Sequence, residues 1–257
     1  MRVYHEAFRP RKTPVAGCPA DPRHIRFFFL LSGWLLWSGY CQAQHASGYE
    51  VSGDIAGLAS GSTVYLINGS QRKIIDSATV TQGQFTLRGH LAEPAHMYLH
   101  AGRGPASKKL ADILLDNQTV QVQGSAPAYE QVTVRGSAID QQWKDWLQED
   151  QTLAQQRATL KKEAASWLAK NDTARANALQ QRVAGLQVDR VNVLKAYVQR
   201  YHDTAAGAAL PTMCTLGASL TGNDYVEMYR VLTPRWQHSS FGKEIMTQAT
   251  KKGGVQK

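Results

Sequence analysis

The sequence predicts an α+β fold, in which an N-terminal antiparallel β-sandwich or open barrel is followed by an α-helical region. Between residues 49 and 137, hydrophobic and polar residues alternate in short runs separated by glycine-rich turns, which is typical of strands. From residue 138 onward, hydrophobic residues recur at three- and four-residue spacing, which is typical of amphipathic helices. The chain has 257 residues, 43% of them hydrophobic, which suffices for one or two domains with a real core.

An apolar, uncharged run precedes the β region, at residues 27–37, and follows Arg23 and Arg26. The run is too short to cross a bilayer as a helix, but it matches the core of a secretory signal peptide. Small side chains at Cys41 and Ala43 fit the positions before a signal peptidase cut. We therefore expect residues 1–43 to be a signal peptide, and the mature chain to lie in the periplasm or cell envelope of a Gram-negative bacterium.

Two alternatives to simple cleavage stay open at this point. In a lipoprotein, Cys41 would be acylated and become the first mature residue, although Tyr40 stands where a small residue is preferred. The apolar run would otherwise remain as an uncleaved anchor. The long stretch before Arg23 also fits a start codon placed too early. After cleavage, we expect no transmembrane span.

The charge pattern disfavours nucleic acid as a partner. The formal net charge is +9 for the whole chain, and residues 44–257 carry 23 Lys or Arg against 18 Asp or Glu. The cations alternate with acids along the predicted helices, as Lys161, Lys162 and Glu163 do, which is typical of a solvent-exposed helical face. Without a clustered basic patch, and with an export signal, we expect no nucleic-acid binding.

The β region, residues 44–137, is predicted to contain about eight strands joined by tight turns. Gly83 supplies the positive φ that one such turn requires. The predicted strands cover residues 49–55, 64–67, 74–80, 85–87, 97–100, 113–115, 120–122 and 132–134.

The helical region, residues 138–250, is predicted to begin with two long helices. The first runs to about Lys170, and residues 171–173 break it and cap the second, which runs to about Tyr201. Such a short connection predicts an antiparallel hairpin about 45 Å long at about 1.5 Å per residue.

Shorter segments follow the hairpin. A helix is predicted within residues 210–220, Asp224 is predicted to cap the next helix, and Pro234 to end it. Ser239 or Ser240 begins a last helix. Residues 251–257 have the composition of a linker-like tail.

Cys214 is the single candidate for a reactive thiol. It is the only cysteine after residue 43, so the mature chain has neither an internal disulfide nor a Cys-x-x-Cys pair. Its apolar, uncharged neighbours in residues 210–218 favour a buried thiol with an ordinary or raised pKa.

No other constellation predicts chemistry. His96 and His100 have the spacing of helical metal ligands, but in a strand four residues span about 13 Å. The sequence therefore predicts no metal site, no cofactor site and no catalytic residues. Trp143, Trp146 and Trp167 share the helical phase of the neighbouring leucines, which predicts packing rather than a sugar-binding platform.

Several runs resemble a known N-terminal domain of unknown function from exported proteins of Bacteroides-group bacteria. They are Tyr-Glu-Val-Ser-Gly-Asp-Ile (49–55), Val-Tyr-Leu (64–66), Ile-Asp-Ser-Ala-Thr-Val (75–80), Gly-Gln-Phe-Thr-Leu-Arg-Gly (83–89), Leu-Leu-Asp-Asn (114–117), Val-Gln-Val-Gln-Gly (120–124) and Val-Arg-Gly-Ser (134–137). The helical part is similar as far as Ser-Phe-Gly-Lys (240–243), so the resemblance covers about residues 48–250.

The resemblance implies a thioredoxin-like partner. In that family the domain commonly precedes a thioredoxin-like domain of the disulfide-reductase or AhpC/TSA (peroxiredoxin-related) kind. The Trp-Cys-x-x-Cys motif of that thioredoxin-like domain has no counterpart in this sequence. No redox residue of the family can therefore be assigned to a residue of this chain. The resemblance thus implies a non-catalytic accessory or binding region of an exported oxidoreductase, either truncated or stand-alone.

Two other functions remain open. One is a monothiol redox protein that acts through Cys214. The other is an envelope module that binds glycan or peptide on the sandwich surface. That surface would use Tyr98, Tyr129 and a basic loop with Arg103, Lys108 and Lys109.

Overall fold

The computed structural model describes residues 48–254, which all belong to one compact unit. The expectations about the signal peptide, Cys41 and residues 255–257 lie outside the described residues. Within the described range, no helix has the length and apolar character that a membrane span requires.

The predicted α+β class is confirmed: two four-stranded sheets precede a set of helices. The first sheet has the order β4-β1-β7-β8 and the second the order β3-β2-β5-β6. Their facing sides enclose one hydrophobic core. The strands are β1 Tyr49–Ala56, β2 Thr63–Asn68, β3 Lys73–Thr79, β4 Gln84–Gly89, β5 Ala95–Ala101, β6 Lys108–Leu115, β7 Thr119–Ser125 and β8 Thr133–Arg135.

One strand pair departs from the antiparallel prediction. Strands β1 and β7 pair in parallel, with Val51 opposite Val120. Hairpin turns force consecutive strands to be antiparallel, but β1 and β7 are separated by five other strands. Their relative direction is therefore not set by a hairpin turn.

Two glycines in the sandwich lie under aromatic rings of the neighbouring strand. Gly53 pairs with Phe85, and a Cβ at Gly53 would lie 2.0 Å from Cζ of that ring. Gly89 pairs with Tyr49 in the same way, and a Cβ at Gly89 would lie 2.5 Å from Oη of Tyr49. These contacts explain why β1 contains Tyr-x-Val-x-Gly and β4 contains Phe-x-Leu-x-Gly.

The predicted hairpin consists of α1, Ala138–Ala169, and α2, Thr173–Arg200. Asn171 makes the turn with a φ of 61°, and the Asp172 carboxylate caps α2 by accepting a hydrogen bond from the Arg175 amide. Asp150 in α1 pairs with Arg190 in α2. These two residues are nearly equidistant from the turn, so the helices run antiparallel.

The remaining helices are α3 Ala205–Met213, α4 Gly222–Val231, α5 Pro234–Gln237 and α6 Ser240–Lys251. Three details differ from the prediction. Helix α3 starts earlier and ends before Cys214. Thr221 is the N-cap of α4, while Asp224 closes the capping box from inside the helix. Pro234 begins α5, where proline needs no backbone donor.

Residues 251–254 of the predicted linker-like tail instead end and cap the last helix. Lys251 is the last residue of α6, and the amide of Gly254 donates to the Ala249 carbonyl at 2.9 Å. Gly254 packs so closely on Gly222 that a Cβ there would lie 2.2 Å from its carbonyl carbon. Glycine is common both in linkers and in helix C-caps, so composition alone could not separate them.

Helix α1 docks on the edge strand β6 through two side chains. The Asp140 carboxylate accepts a hydrogen bond from the Leu114 amide at 2.9 Å, and the Ser137 hydroxyl donates to the Leu114 carbonyl at 3.1 Å. Trp143 and Trp146 are buried next to this joint, in the helical core, as their spacing predicts. We call these contacts of Ser137 and Asp140 with Leu114 the α1–β6 joint.

Candidate functional site

A cleft of about 1130 Å³ lies between one end of the sandwich and the helical region. One wall consists of the β2–β3 turn, the β4–β5 connection and the start of β5. The other wall consists of the end of α3 with parts of α4 and α6. Clefts between packed regions of a chain are common binding sites, so this is the candidate functional site.

The lining of the cleft combines apolar and polar side chains. Leu91 and Ile75 on the sandwich side face Met213, Tyr225 and Phe241 on the helical side. The polar members include Gln71, His96, Glu244, Gln248 and Lys252. Such a surface can bury apolar side chains of a ligand and also bond its polar groups.

Glu93 connects the two walls. Its carboxylate accepts a hydrogen bond from the Ser240 amide at 2.9 Å, which is one of the unpaired donors at the start of α6. This backbone hydrogen bond is the main reason that the pKa of Glu93 lies below its usual value. At neutral pH the carboxylate is therefore charged and holds the loop to the helix.

His96 lies in the cleft wall in front of Asp112. Its Nε2 is 3.5 Å from Oδ1 of Asp112, and its ring meets the rings of Tyr98 and Trp143 edge-on. Burial alone would raise the pKa of Asp112, but His96 and Lys109 outweigh it and lower the pKa. The carboxylate thus stays ionised behind the imidazole.

His96 and His100 do not form a metal site together. His100 bonds through Nδ1 to the Ser107 hydroxyl at 2.8 Å, away from the contact of His96 with Asp112. Residues 48–254 contain no group of three or more side chains placed to bind a metal ion.

Cys214 lies at the C-terminal end of α3 and is partly buried. Its thiol donates to the Pro211 carbonyl at 3.4 Å. Burial raises the pKa of this thiol to about 11. At neutral pH the group is therefore protonated and a poor nucleophile.

A buried ion pair beside Cys214 was not found from the sequence. Arg190 donates two hydrogen bonds to the Asp150 carboxylate, both of 2.7 Å, and a third to the Thr215 hydroxyl at 3.1 Å. These contacts tie the hairpin to the segment after α3. Both charged residues fall on the buried face of their helices, which is the signal that could have revealed them.

The proposed glycan surface is only partly assembled. Arg103 lies over the ring of Tyr65 at 4.5 Å, and Lys109 lies 5.7 Å from the ring centre of Tyr98. Tyr129 instead packs against the sandwich core from the β7–β8 connection. Lys108 is exposed at the start of β6.

A family model described as a domain of unknown function (DUF4369) matches residues 49–143. The sandwich is similar to that domain. A search of curated proteins and a search of solved structures found no match to the chain.

The region similar to this domain of unknown function supplies only one wall of the cleft. Glu93 and His96 lie within the matched residues, whereas Tyr225 and Phe241 lie beyond them. The domain also includes the first turns of α1, and therefore both side chains that dock on Leu114. The matched segment thus contains the whole α1–β6 joint.

Proposed function

We propose that this chain is a non-catalytic accessory module of the cell envelope that binds a protein partner in the cleft. The partner in this proposal is an exported thioredoxin-like oxidoreductase, or a segment of that enzyme's substrate. The observation that supports binding is the open cleft with its mixed lining. The resemblance described above supports the identity of the partner.

A non-catalytic role is supported by the chemistry of the only thiol in the described residues. Disulfide reduction requires a thiolate that attacks and a second thiol that resolves the mixed disulfide. The raised pKa of Cys214 opposes the first step, and no second thiol is present in residues 48–254. The cleft itself contains no cysteine.

The test of partner binding uses purified thioredoxin-like oxidoreductases from the envelope of the same organism. Calorimetry should give a saturable interaction that Phe241→Ala weakens about tenfold, because a central apolar contact is lost. Val188→Ala is the matched control, because Val188 is an exposed hydrophobic residue of α2 that does not line the cleft. It should leave the affinity unchanged. Equal affinities for both variants would contradict binding in the cleft.

An insulin-reduction assay separates this proposal from the monothiol alternative. The wild-type chain and Cys214→Ser should both show no turnover beyond the blank. Activity in the wild type that disappears in Cys214→Ser would support a monothiol enzyme instead.

Glycan or peptide binding on the outer face of the second sheet is the other candidate. It is supported by the cations Arg103 and Lys109, which lie near the rings of Tyr65 and Tyr98. Envelope glycans that bind the wild type but not Tyr65→Ala, at a ring outside the cleft, would favour this function, provided that Phe241→Ala still binds them.

A further inference from the structure

The positive charge of the described residues is concentrated in one part of the molecule. Residues 151–188, which we call the distal hairpin, carry six Lys or Arg and only two Asp or Glu. The other described residues carry sixteen of each sign. The distal hairpin therefore holds the entire net charge of residues 48–254.

The cations of the distal hairpin outnumber its two acids, Glu163 and Asp172. None of them forms an ion pair with any residue in the part of the chain that the structure describes. They are Arg157, Lys161, Lys162, Lys170, Arg175 and Arg182. Their charge is thus available to an external anionic partner.

Aromatic and apolar side chains lie at the end of this basic rod. Two cations lie over the ring of Trp167: Lys170, whose Nζ is 4.5 Å from the ring centre, and Arg175, whose Cζ is 4.3 Å from it. Leu168 is 47% exposed beside it. Only two other large hydrophobic residues of the described chain, Ile74 and Val188, are comparably exposed.

We propose that the tip of the distal hairpin, residues 167–175, binds the surface of an anionic lipid bilayer. Tryptophan is enriched at bilayer interfaces, where its apolar ring and polar N–H are both accommodated. Lysine and arginine beside it are attracted to the negative potential of an anionic surface. This inference is independent of the function proposed for the cleft.

The apolar residues distinguish a bilayer from other polyanions. A nucleic acid or an acidic polysaccharide would be attracted to the cations but would leave Leu168 exposed to water. A bilayer interface removes the exposed part of that side chain from water, which favours binding. Basic residues with an adjacent apolar tip are typical of proteins that lie on membrane surfaces.

The geometry would place the cleft at a defined distance from the membrane. About twenty residues of α1 separate Asp150 from the tip, which is about 30 Å at about 1.5 Å per residue. The buried pair of Asp150 and Arg190 fixes the base of this rod to the helical core. The hairpin would thus act as a spacer between the bilayer and the cleft.

The experiment measures sedimentation of the chain from Gln44 onward with lipid vesicles. At low ionic strength, vesicles of equal parts phosphatidylglycerol and phosphatidylcholine should bind about tenfold more protein than pure phosphatidylcholine vesicles. About 0.5 M NaCl should remove most of this difference. Brominated phosphatidylglycerol should quench tryptophan fluorescence in the wild type and not in Trp167→Phe.

The variant Leu168→Glu should reduce vesicle binding about fivefold or more, since it places an acid at the tip. The residue is exposed, so folding is unaffected, and circular dichroism checks this. Ile74→Glu is the matched control on the sandwich and should bind like the wild type. Absence of binding to phosphatidylglycerol, equal loss in both variants, or binding to heparin without binding to vesicles would each overturn the proposal.

Discussion

Single residues in the helical core are held by charge as well as by packing. Asp150 is 2% exposed, and its carboxylate is bonded twice by Arg190. Two charges taken out of water are costly, and only good geometry with further hydrogen bonds offsets this cost. The bond from Arg190 to Thr215 supplies such a contact at the segment that follows Cys214.

Asp150→Ala should lower the free energy of unfolding by about 3–5 kcal/mol, because the Arg190 guanidinium would stay buried without its partner. Urea denaturation measures this loss. Asp189→Ala is the control, because it removes an exposed carboxylate next to Arg190 and should change stability by less than about 0.5 kcal/mol. Similar losses in the two variants would show that the pair does not matter.

Cys214 should react slowly with iodoacetamide in the folded protein. With its pKa raised to about 11, the thiolate population at pH 7.5 is about 300-fold below that of a free cysteine. The alkylation rate should rise with pH through pH 10, and unfolding in urea should restore the ordinary rate. Mass spectrometry of timed samples measures both.

The same shift gives a pH dependence of stability with a definite sign. The folded state binds the thiol proton more tightly than the unfolded state, so stability is lost as the pH rises from about 9 to about 11. Tyr49 and Tyr197 also have raised pKa values, of about 12. Comparison of the wild type with Cys214→Ser separates the contribution of Cys214 to the pH dependence from theirs. If the wild type and Cys214→Ser lost the same stability above pH 9, the raised pKa of Cys214 would be contradicted.

Strands β1 and β4 each require a glycine, whereas helix α2 contains a glycine that it does not require. In β1, Gly53 leaves the space that the Phe85 ring fills, and in β4, Gly89 does the same for Tyr49. In α2, Gly185 has no unusual φ, and a Cβ added there would have no atom of another residue within 4 Å beyond its own helical turn. The same residue type is therefore structural in the strands and dispensable in the helix.

Gly53→Ala should destabilise the protein by about 1–3 kcal/mol, because its methyl group would overlap the buried Phe85 ring. Gly185→Ala, the same chemical change in α2, should stabilise it by about 0.5–1 kcal/mol, because alanine is the better helix former. Thermal unfolding compares the two. Changes of the same sign would contradict the assignment of these glycines.

Polar contacts join the sandwich to the helices at two places, beside the packing of Leu114 in the helical core. The α1–β6 joint lies at one place, and the Glu93 contact with α6 lies at the cleft. Burial raises the pKa of Asp140, and Lys144 and the Leu114 amide offset this effect only in part. The relative position of the two walls depends on these contacts.

Asp140→Ala should loosen α1 from β6, because the Leu114 amide would lose its partner and Lys144 its counter-charge. Hydrogen exchange should become faster in the first turns of α1 and at Leu114, with β1 and β2 unchanged. Asp145→Ala is the control, because the Asp145 carboxylate accepts an exposed hydrogen bond from Gln141 of the same helix rather than from β6. Uniformly faster exchange across both sheets would instead indicate global destabilisation.

The sequence by itself determined the elements and their order. Alternation with glycine turns located all eight strands, and three-four spacing located both long helices, because these patterns depend only on local backbone geometry and on which face is buried. It also anticipated the burial of Trp143. Glycine near residue 253 was ambiguous, since linkers and helix caps use it alike.

The tertiary structure alone decided the parallel pairing of β1 with β7, the cleft, and the buried pair of Asp150 with Arg190. Each of these joins residues that are far apart in the chain, and no local pattern records which distant surfaces meet. The contact at the hairpin tip is more local. Lys170 follows Trp167 by three residues at the same helix end, whereas the chain reversal at Asn171 brings Arg175 of α2 to the same ring.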